Sequence, residues 1–196
     1  RVERWWTPVG HALPPGLDVG DDAAVAEYVL RLLSAAITEQ TMADVPHGVL
    51  LSGGVDSSLL VAVLSRTLSK PVRTFSVGYD NAAGFDERAS ARSVAGRFGT
   101  EHQELVLQPA QVIELLPELV YAQDEPVADW VCLPLLPLAR LVRRSGVVVV
   151  QVGEGSDEIF AGYPRYRRYA RLHAGIWGSY MRLPRWVRQV AGVAAA

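Results

Sequence analysis

The residues best suited to chemistry lie in the heptad Ser52–Ser58, "SGGVDSS". A short apolar run, Val49–Leu51, leads into it and an apolar helical pattern, "SLLVAVLSRTLS", follows, so it reads as the tight loop between a strand and a helix. Glycines in such a loop let the backbone approach a ligand closely, and the free N–H groups at the helix start attract phosphate. Ser52, Ser57 and Ser58 add hydroxyl donors. The lysine of a Walker A loop is missing, so the motif is a different one. An aspartate among phosphates repels them unless a divalent cation stands between, and Asp56 therefore points to Mg²⁺. The plainer alternative is a glycine-serine turn carrying a helix-capping aspartate.

A second segment, Val152–Tyr163 ("VGEGSDEIFAGY"), brings Glu154, Asp157 and Glu158 into a glycine-flanked loop. Clustered carboxylates are costly unless a metal or a reacting proton relieves them. Asp157 is a natural second Mg²⁺ ligand and Glu154 a candidate base; a solvated acidic helix start is the alternative. Both segments leave strands in the same direction, and ligands of parallel sheets bind beyond the carboxyl ends of strands.

The elements that must hold these loops alternate along the chain. A helix is expected over 22–42, with Asp21 or Asp22 as its N-cap, then the strand Val49–Leu51, a helix, and a strand at 72–79. A helix at 86–99 follows, with Asp86 and Glu87 at its start, then a strand at 101–107 and helices at 110–121 and 134–145. The run "GVVVVQVG", 146–153, is the strongest strand, and four β-branched residues in a row predict a central strand buried on both faces. Such alternation predicts an α/β fold with a parallel sheet sandwiched by helices. The expected organisation is an entry segment at 1–21, one domain at 22–170, and the start of a helical region at 171–196.

Length and composition agree with a single core. The chain has 196 residues, 49% hydrophobic and 20% charged, with a net charge of −2. No global basic field suggests nucleic acid, and no apolar run approaches the ~20 residues of a membrane helix. The lone Cys132 excludes an internal disulfide and fits a reducing, cytoplasmic setting; it reads as a small buried residue. His102 reads as structural or solvent-facing. Of the 19 basic residues only Lys70 is lysine, and Pro164–Arg188 carries seven arginines and no acid, a basic helical face. Trp177 and Trp186 in that stretch are expected to cover further structure.

The heptad resembles the pyrophosphate-binding motif of the N-type ATP pyrophosphatases. Together with "GEGSDEIFAGY" it resembles the synthetase domain of glutamine-hydrolysing asparagine synthetases. "WWTP" (5–8), "TFSVGY" (74–79), "DERASARSVAGRFGTEHQE" (86–104) and "DEPVAD" (124–129) support this in the same order. The resemblance implies an adenine nucleotide alpha hydrolase-like fold, truncated at its C-terminus. It implies ATP and Mg²⁺ as cofactors, and adenylation of a carboxylate, aspartate first, followed by attack of ammonia derived from glutamine. On the same basis Ser52, Gly53, Gly54, Asp56, Ser57 and Ser58 would bind pyrophosphate, Leu51, Val77 and Gly153 would border the adenosine, and Asp56 and Asp157 would hold Mg²⁺. Glu154 would take the proton during ammonia attack.

Partners implied are a small carboxylate substrate and a glutaminase domain or other ammonia source, with no nucleic acid or membrane and with a homodimer left open. The departures are Val152, where the family often has serine, and Trp130 and Val131, where it often has small or hydroxylated residues. These leave open another carboxylate acceptor, a lactam-forming relative, or a nucleotide-binding module without catalysis. The family also uses an N-terminal nucleophilic cysteine and a later lysine, which neither Cys132 nor Lys70 matches. The chain alone is therefore expected to turn over little.

Overall fold

The computed structural model describes residues 3, 7, 12–80, 86–125, 129 and 131–188. Most of "WWTP", residues 81–85, residues 126–128 with Trp130, and the alanine-rich end lie outside the described residues. Helix α1 (Asp22–Glu39) is started by Asp21, whose carboxylate accepts from the N–H groups of Ala23 and Ala24 at 2.9 and 3.2 Å. It stops short of the expected residue 42, because Gln40 caps it and Thr41 and Met42 turn away. Strand β1 (His47–Leu50), helix α2 (Val55–Thr67), strand β2 (Arg73–Tyr79), helix α3 (Arg88–Phe98) and strand β3 (Glu101–Leu107) follow. Gly99, with φ +62°, ends α3. Helices α4 (Pro109–Gln123) and α5 (Cys132–Arg144) precede strand β4 (Val149–Gln151). Beyond it lie α6 (Ser156–Phe160), α7 (Pro164–Leu172), a π-helical turn (His173–Trp177) and α8 (Gly178–Arg182).

The four strands are parallel, in the order β3-β2-β1-β4. Side chains alternate between the two faces of β2. On one face Val61 and Leu64 of α2 and Ala91 and Ala95 of α3 form a core with Val49 and Leu51, and Ile37 of α1 closes it. On the other face Phe75 packs with Leu138 and Val142 of α5 and with Val147. Fully burying each such side chain contributes about 1.5–3 kcal/mol. The sheet is thus sandwiched by helices, as the alternation predicted.

One expectation fails. The run 146–153 yields a strand of three residues that pairs with β1 alone, so among the described strands β4 is an edge and not a centre. Val147 is buried, but Val148 and Val149 are 48% and 38% exposed. A β-branched run reports strand propensity, whereas centrality depends on a second neighbour, which a local run does not encode.

A polar line fastens α3 to the sheet. The Thr74 hydroxyl lies 2.8 Å from the Thr100 hydroxyl and 2.9 Å from His102 Nδ1, while His102 Nε2 lies 3.2 Å from Glu104. Arg92 of α3 donates to both Glu104 oxygens at 2.7 and 2.6 Å. Arg92 above all, with His102 helping, holds the Glu104 carboxyl below its usual range. His102 is accordingly a structural residue. Cys132, expected to be buried, is half-buried at the first residue of α5. No helix among the described residues is long and apolar enough to cross a membrane.

Candidate active site

The strand order fixes where a ligand can bind. From β1 the chain winds to one side through β2 and β3, whereas β4 lies on the other side of β1. The direction of winding therefore reverses between β1 and β4, and the crevice beyond their carboxyl ends is the expected binding place in a parallel sheet. Both chemistry-bearing loops open into it.

The loop after β1 is shaped by its own serines. The buried Ser57 hydroxyl donates to the Gly54 carbonyl at 3.3 Å, accepts from the Ser52 N–H at 3.3 Å and lies 3.0 Å from the Ser52 hydroxyl. Ser52 Oγ in turn accepts from the Gly54 N–H at 3.2 Å. Gly53 has φ +83°, and a Cβ there would lie 2.6 Å from Ser90 and from the Ala91 nitrogen. The loop thus rests directly on the first turn of α3. The first N–H groups of α2 have no acceptor within their own helix, an arrangement that favours an anion.

The loop after β4 meets the first loop at Gly153. A Cβ at that position would lie 2.9 Å from Asp56 Cβ and 3.2 Å from the Ser57 nitrogen, so only glycine lets β4 end this close to α2. The Ser76 hydroxyl on β2 also hydrogen-bonds the Leu51 carbonyl, and the Leu51 N–H donates to Phe75 at 2.8 Å, which locks the end of β1 to β2.

Between these loops and α5 lies a cavity of about 500 Å³. It gathers eight of the residues singled out from the sequence: Leu51, Ser52, Gly54, Asp56, Ser57, Val77, Gly153 and Glu154. Gly53 supports the loop from behind, and Ser58 is half-buried inside α2 with its N–H bonded to Gly54 at 3.0 Å. Neither of these two lines the cavity, nor does Asp157, whose carboxylate packs so tightly on Gly162 that any Cβ there would overlap it. Glu158 is exposed; with Asp157 it holds the Tyr163 hydroxyl above its usual range, Glu158 contributing most.

Among the described lining residues none is basic, while Asp56, Glu87 and Glu154 are acidic. Among the described residues no group of three or more His, Cys, Asp or Glu converges on one point. Magnesium does not require such a group, because it is commonly held by one or two carboxylates together with substrate phosphates.

The amino-acid sequence from residue 28 to residue 195 matches the family model for asparagine synthase. The chain belongs to the asparagine synthase family. A putative glutamine-hydrolysing asparagine synthetase of Mycobacterium tuberculosis is 36% identical over 166 residues, covering 85% of this chain and 25% of the relative. Asparagine synthetase 1 of Bacillus subtilis is 40% identical over 124 residues, covering 63% of this chain and 19% of the relative. This member of the family therefore spans a quarter or less of the length of those two curated relatives. Among solved structures, an ammonia-dependent NAD synthetase from Campylobacter jejuni is similar with a TM-score of 0.45 at 16% identity, over 70% of this chain and 60% of the other.

One part of the site escaped sequence reasoning: the wall built by Pro134, Leu135 and Leu138 of α5, a stretch that reads in sequence as an ordinary amphipathic helix. Val131 beside it, singled out as a departure from the family, also lines the cavity, as does Glu87, in a segment that the family resemblance places near the site.

Proposed function

We propose that this chain is the ATP-binding core of a synthetase that activates a carboxylate as an acyl-adenylate and converts it to an amide, with aspartate as the carboxylate. The observation that carries this reading is the convergence of the β1 and β4 loops on one cavity of about 500 Å³, with Ser52, Gly54, Asp56 and Ser57 of the first and Glu154 of the second on its wall. The substrate carboxylate oxygen attacks the α-phosphorus of ATP, the bond to the bridging oxygen breaks, and pyrophosphate leaves. Ammonia then attacks the acyl carbon and AMP departs.

In this reading Ser52, Gly53, Gly54, Ser57 and Ser58, with the start of α2, bind and orient the leaving pyrophosphate, while Leu51, Val77 and Gly153 border the adenosine. Asp56, in the first turn of α2 and on the cavity wall, would hold Mg²⁺ jointly with phosphate oxygens, and Asp157, which does not line the described cavity, would have to turn from Gly162 to be its second ligand. That ion would supply charge neutralisation where the described lining has no basic residue. Glu154, exposed at the end of β4, takes the proton that the attacking nitrogen loses. Ammonia comes from glutamine hydrolysed outside these residues, in keeping with the names of the two relatives, and the reaction is cytoplasmic.

A second reading, an acceptor other than aspartate, is favoured by Val131 on the cavity wall. Equilibrium binding of MgATP tests the nucleotide site, with Asp56→Ala and Asp157→Ala each expected to weaken it roughly tenfold or more. Unchanged affinity in both variants overturns the two-carboxylate arrangement. Carboxylate-dependent exchange of pyrophosphate into ATP decides between the acceptors: exchange with aspartate alone removes the second reading, and exchange with other carboxylates alone removes the first.

A further inference from the structure

The turn that ends α6 carries its glycine in an unexpected place. The helix closes on Ala161, which takes the left-handed φ of +53° that glycine ordinarily supplies, while the next residue, Gly162, has no positive φ. Backbone conformation therefore does not explain the glycine, but space does. The Gly162 N–H donates to the Asp157 carbonyl at 3.0 Å, and this turn folds residue 162 back over Asp157. A Cβ at 162 would overlap a carboxylate oxygen of Asp157 and lie 2.9 Å from its Cγ. The missing side chain leaves a niche, and the carboxylate fills it.

No described donor fastens the carboxylate there. It makes no hydrogen bond or ion pair with any described residue, and it shares with Glu158 only the neighbourhood of the Tyr163 hydroxyl. On the cavity side, Asp56, Glu87 and Glu154 already line the wall, with no basic residue among the described lining. A further carboxylate turned toward these three raises their mutual repulsion, and a cation reverses that balance. The side chain thus has two arrangements that a cation separates in energy, and such a difference is what shifts an equilibrium.

We propose that Gly162 parks the Asp157 carboxylate outside the cavity, and that rotation about the Asp157 Cα–Cβ bond brings it in when a cation sits at Asp56. The size of residue 162 then sets how tightly MgATP binds. The proposal rests on the nucleotide reading above and deepens it. A methyl at 162 takes the niche away, and the end of a rotatable side chain yields more easily than a backbone turn. The inward population rises, and apparent affinity rises with it. With no hydrogen bond to lose from the parked arrangement, the gain is limited to about tenfold.

The test is equilibrium binding of MgATP, at saturating Mg²⁺, to the 196-residue chain, to its Gly162→Ala and Asp157→Ala variants, and to the double variant. Gly162→Ala is expected to tighten binding by roughly two- to tenfold. The double variant is expected to bind as Asp157→Ala does, because the methyl acts through the carboxylate alone. Unchanged affinity in Gly162→Ala shows that the niche does not compete with binding, and a loss there shows that Asp157 works from where it lies; either overturns the proposal. A gain that survives in the double variant, or an Asp157→Ala chain with full affinity, overturns it as well. A second measurement needs no change at 162: the NMR resonances of the Gly162 α-protons should move on MgATP binding in the unaltered chain and stay in Asp157→Ala. The same movement in both chains, or none in either, overturns the proposal. An unaltered chain that does not bind MgATP overturns the nucleotide reading itself.

Discussion

Gly53→Ala is the substitution that most directly probes how the loop after β1 is supported. Two separate penalties apply. The backbone there has φ +83°, a conformation that costs an L-residue about 1–2 kcal/mol. The new methyl would also lie 2.6 Å from Ser90 and the Ala91 nitrogen, well inside the 3.4 Å at which ordinary contact begins. Backbone atoms of a packed helix cannot rotate aside, and Ala91 is fully buried in the core, so the loop or α3 must move. Overpacking of this kind costs about 1–3 kcal/mol more. Gly99→Ala is the matched control, because Gly99 has φ +62° with nothing within 4 Å of its would-be Cβ. Urea and thermal unfolding of the two variants should therefore differ by about 2 kcal/mol, or roughly 4–8 °C in Tm for a chain of this size. MgATP affinity should fall only in Gly53→Ala, since the loop that must shift is the one proposed to bind pyrophosphate. Equal destabilisation of the two variants, or a Gly53→Ala chain with unchanged affinity, would refute the reasoning.

Two further outcomes follow from the wall and from the start of α3. Leu138→Ala removes a buried side chain shared by the core and the cavity, so unfolding should show a loss of about 2–5 kcal/mol together with weaker nucleotide binding. Arg88 lowers the Asp86 carboxyl to about 2, and a depressed folded value means stabilisation that is complete above the ordinary carboxylate range and lost as pH falls through 2. The protection of amides at the start of α3, taken relative to intrinsic exchange at each pH, should accordingly fall between about pH 4 and pH 2, and in Asp86→Asn that fall should be absent.

Much of the fold was legible because its signals are local. Asp21 caps α1, Gly99 stops α3, and the glycine-serine heptad sits between an apolar strand and an apolar helix; each depends on residues within one turn of chain. The convergence of the two loops was legible for a topological reason, since parallel strands deliver their carboxyl ends to one edge. What escaped was nonlocal. The β-branched run before Gln151 carries no record of its neighbours, so an edge read as a centre. Ser57 read as a free donor, but it is buried and bonded within its own loop. Asp86 and Glu87 look alike in sequence, and only the contacts of Arg88 show that one of them suffices to start the helix.

The serine bonds inside the β1 loop have a thermodynamic consequence. Ser52, Gly54 and Ser57 are tied to one another by bonds internal to the loop, so the entropy of ordering it is lost during folding and not at the moment of binding. A preorganised cradle makes affinity hostage to the fold. Substitutions that touch no ligand atom but loosen this loop will appear in binding measurements, and a bound nucleotide will in turn raise the temperature at which the chain unfolds.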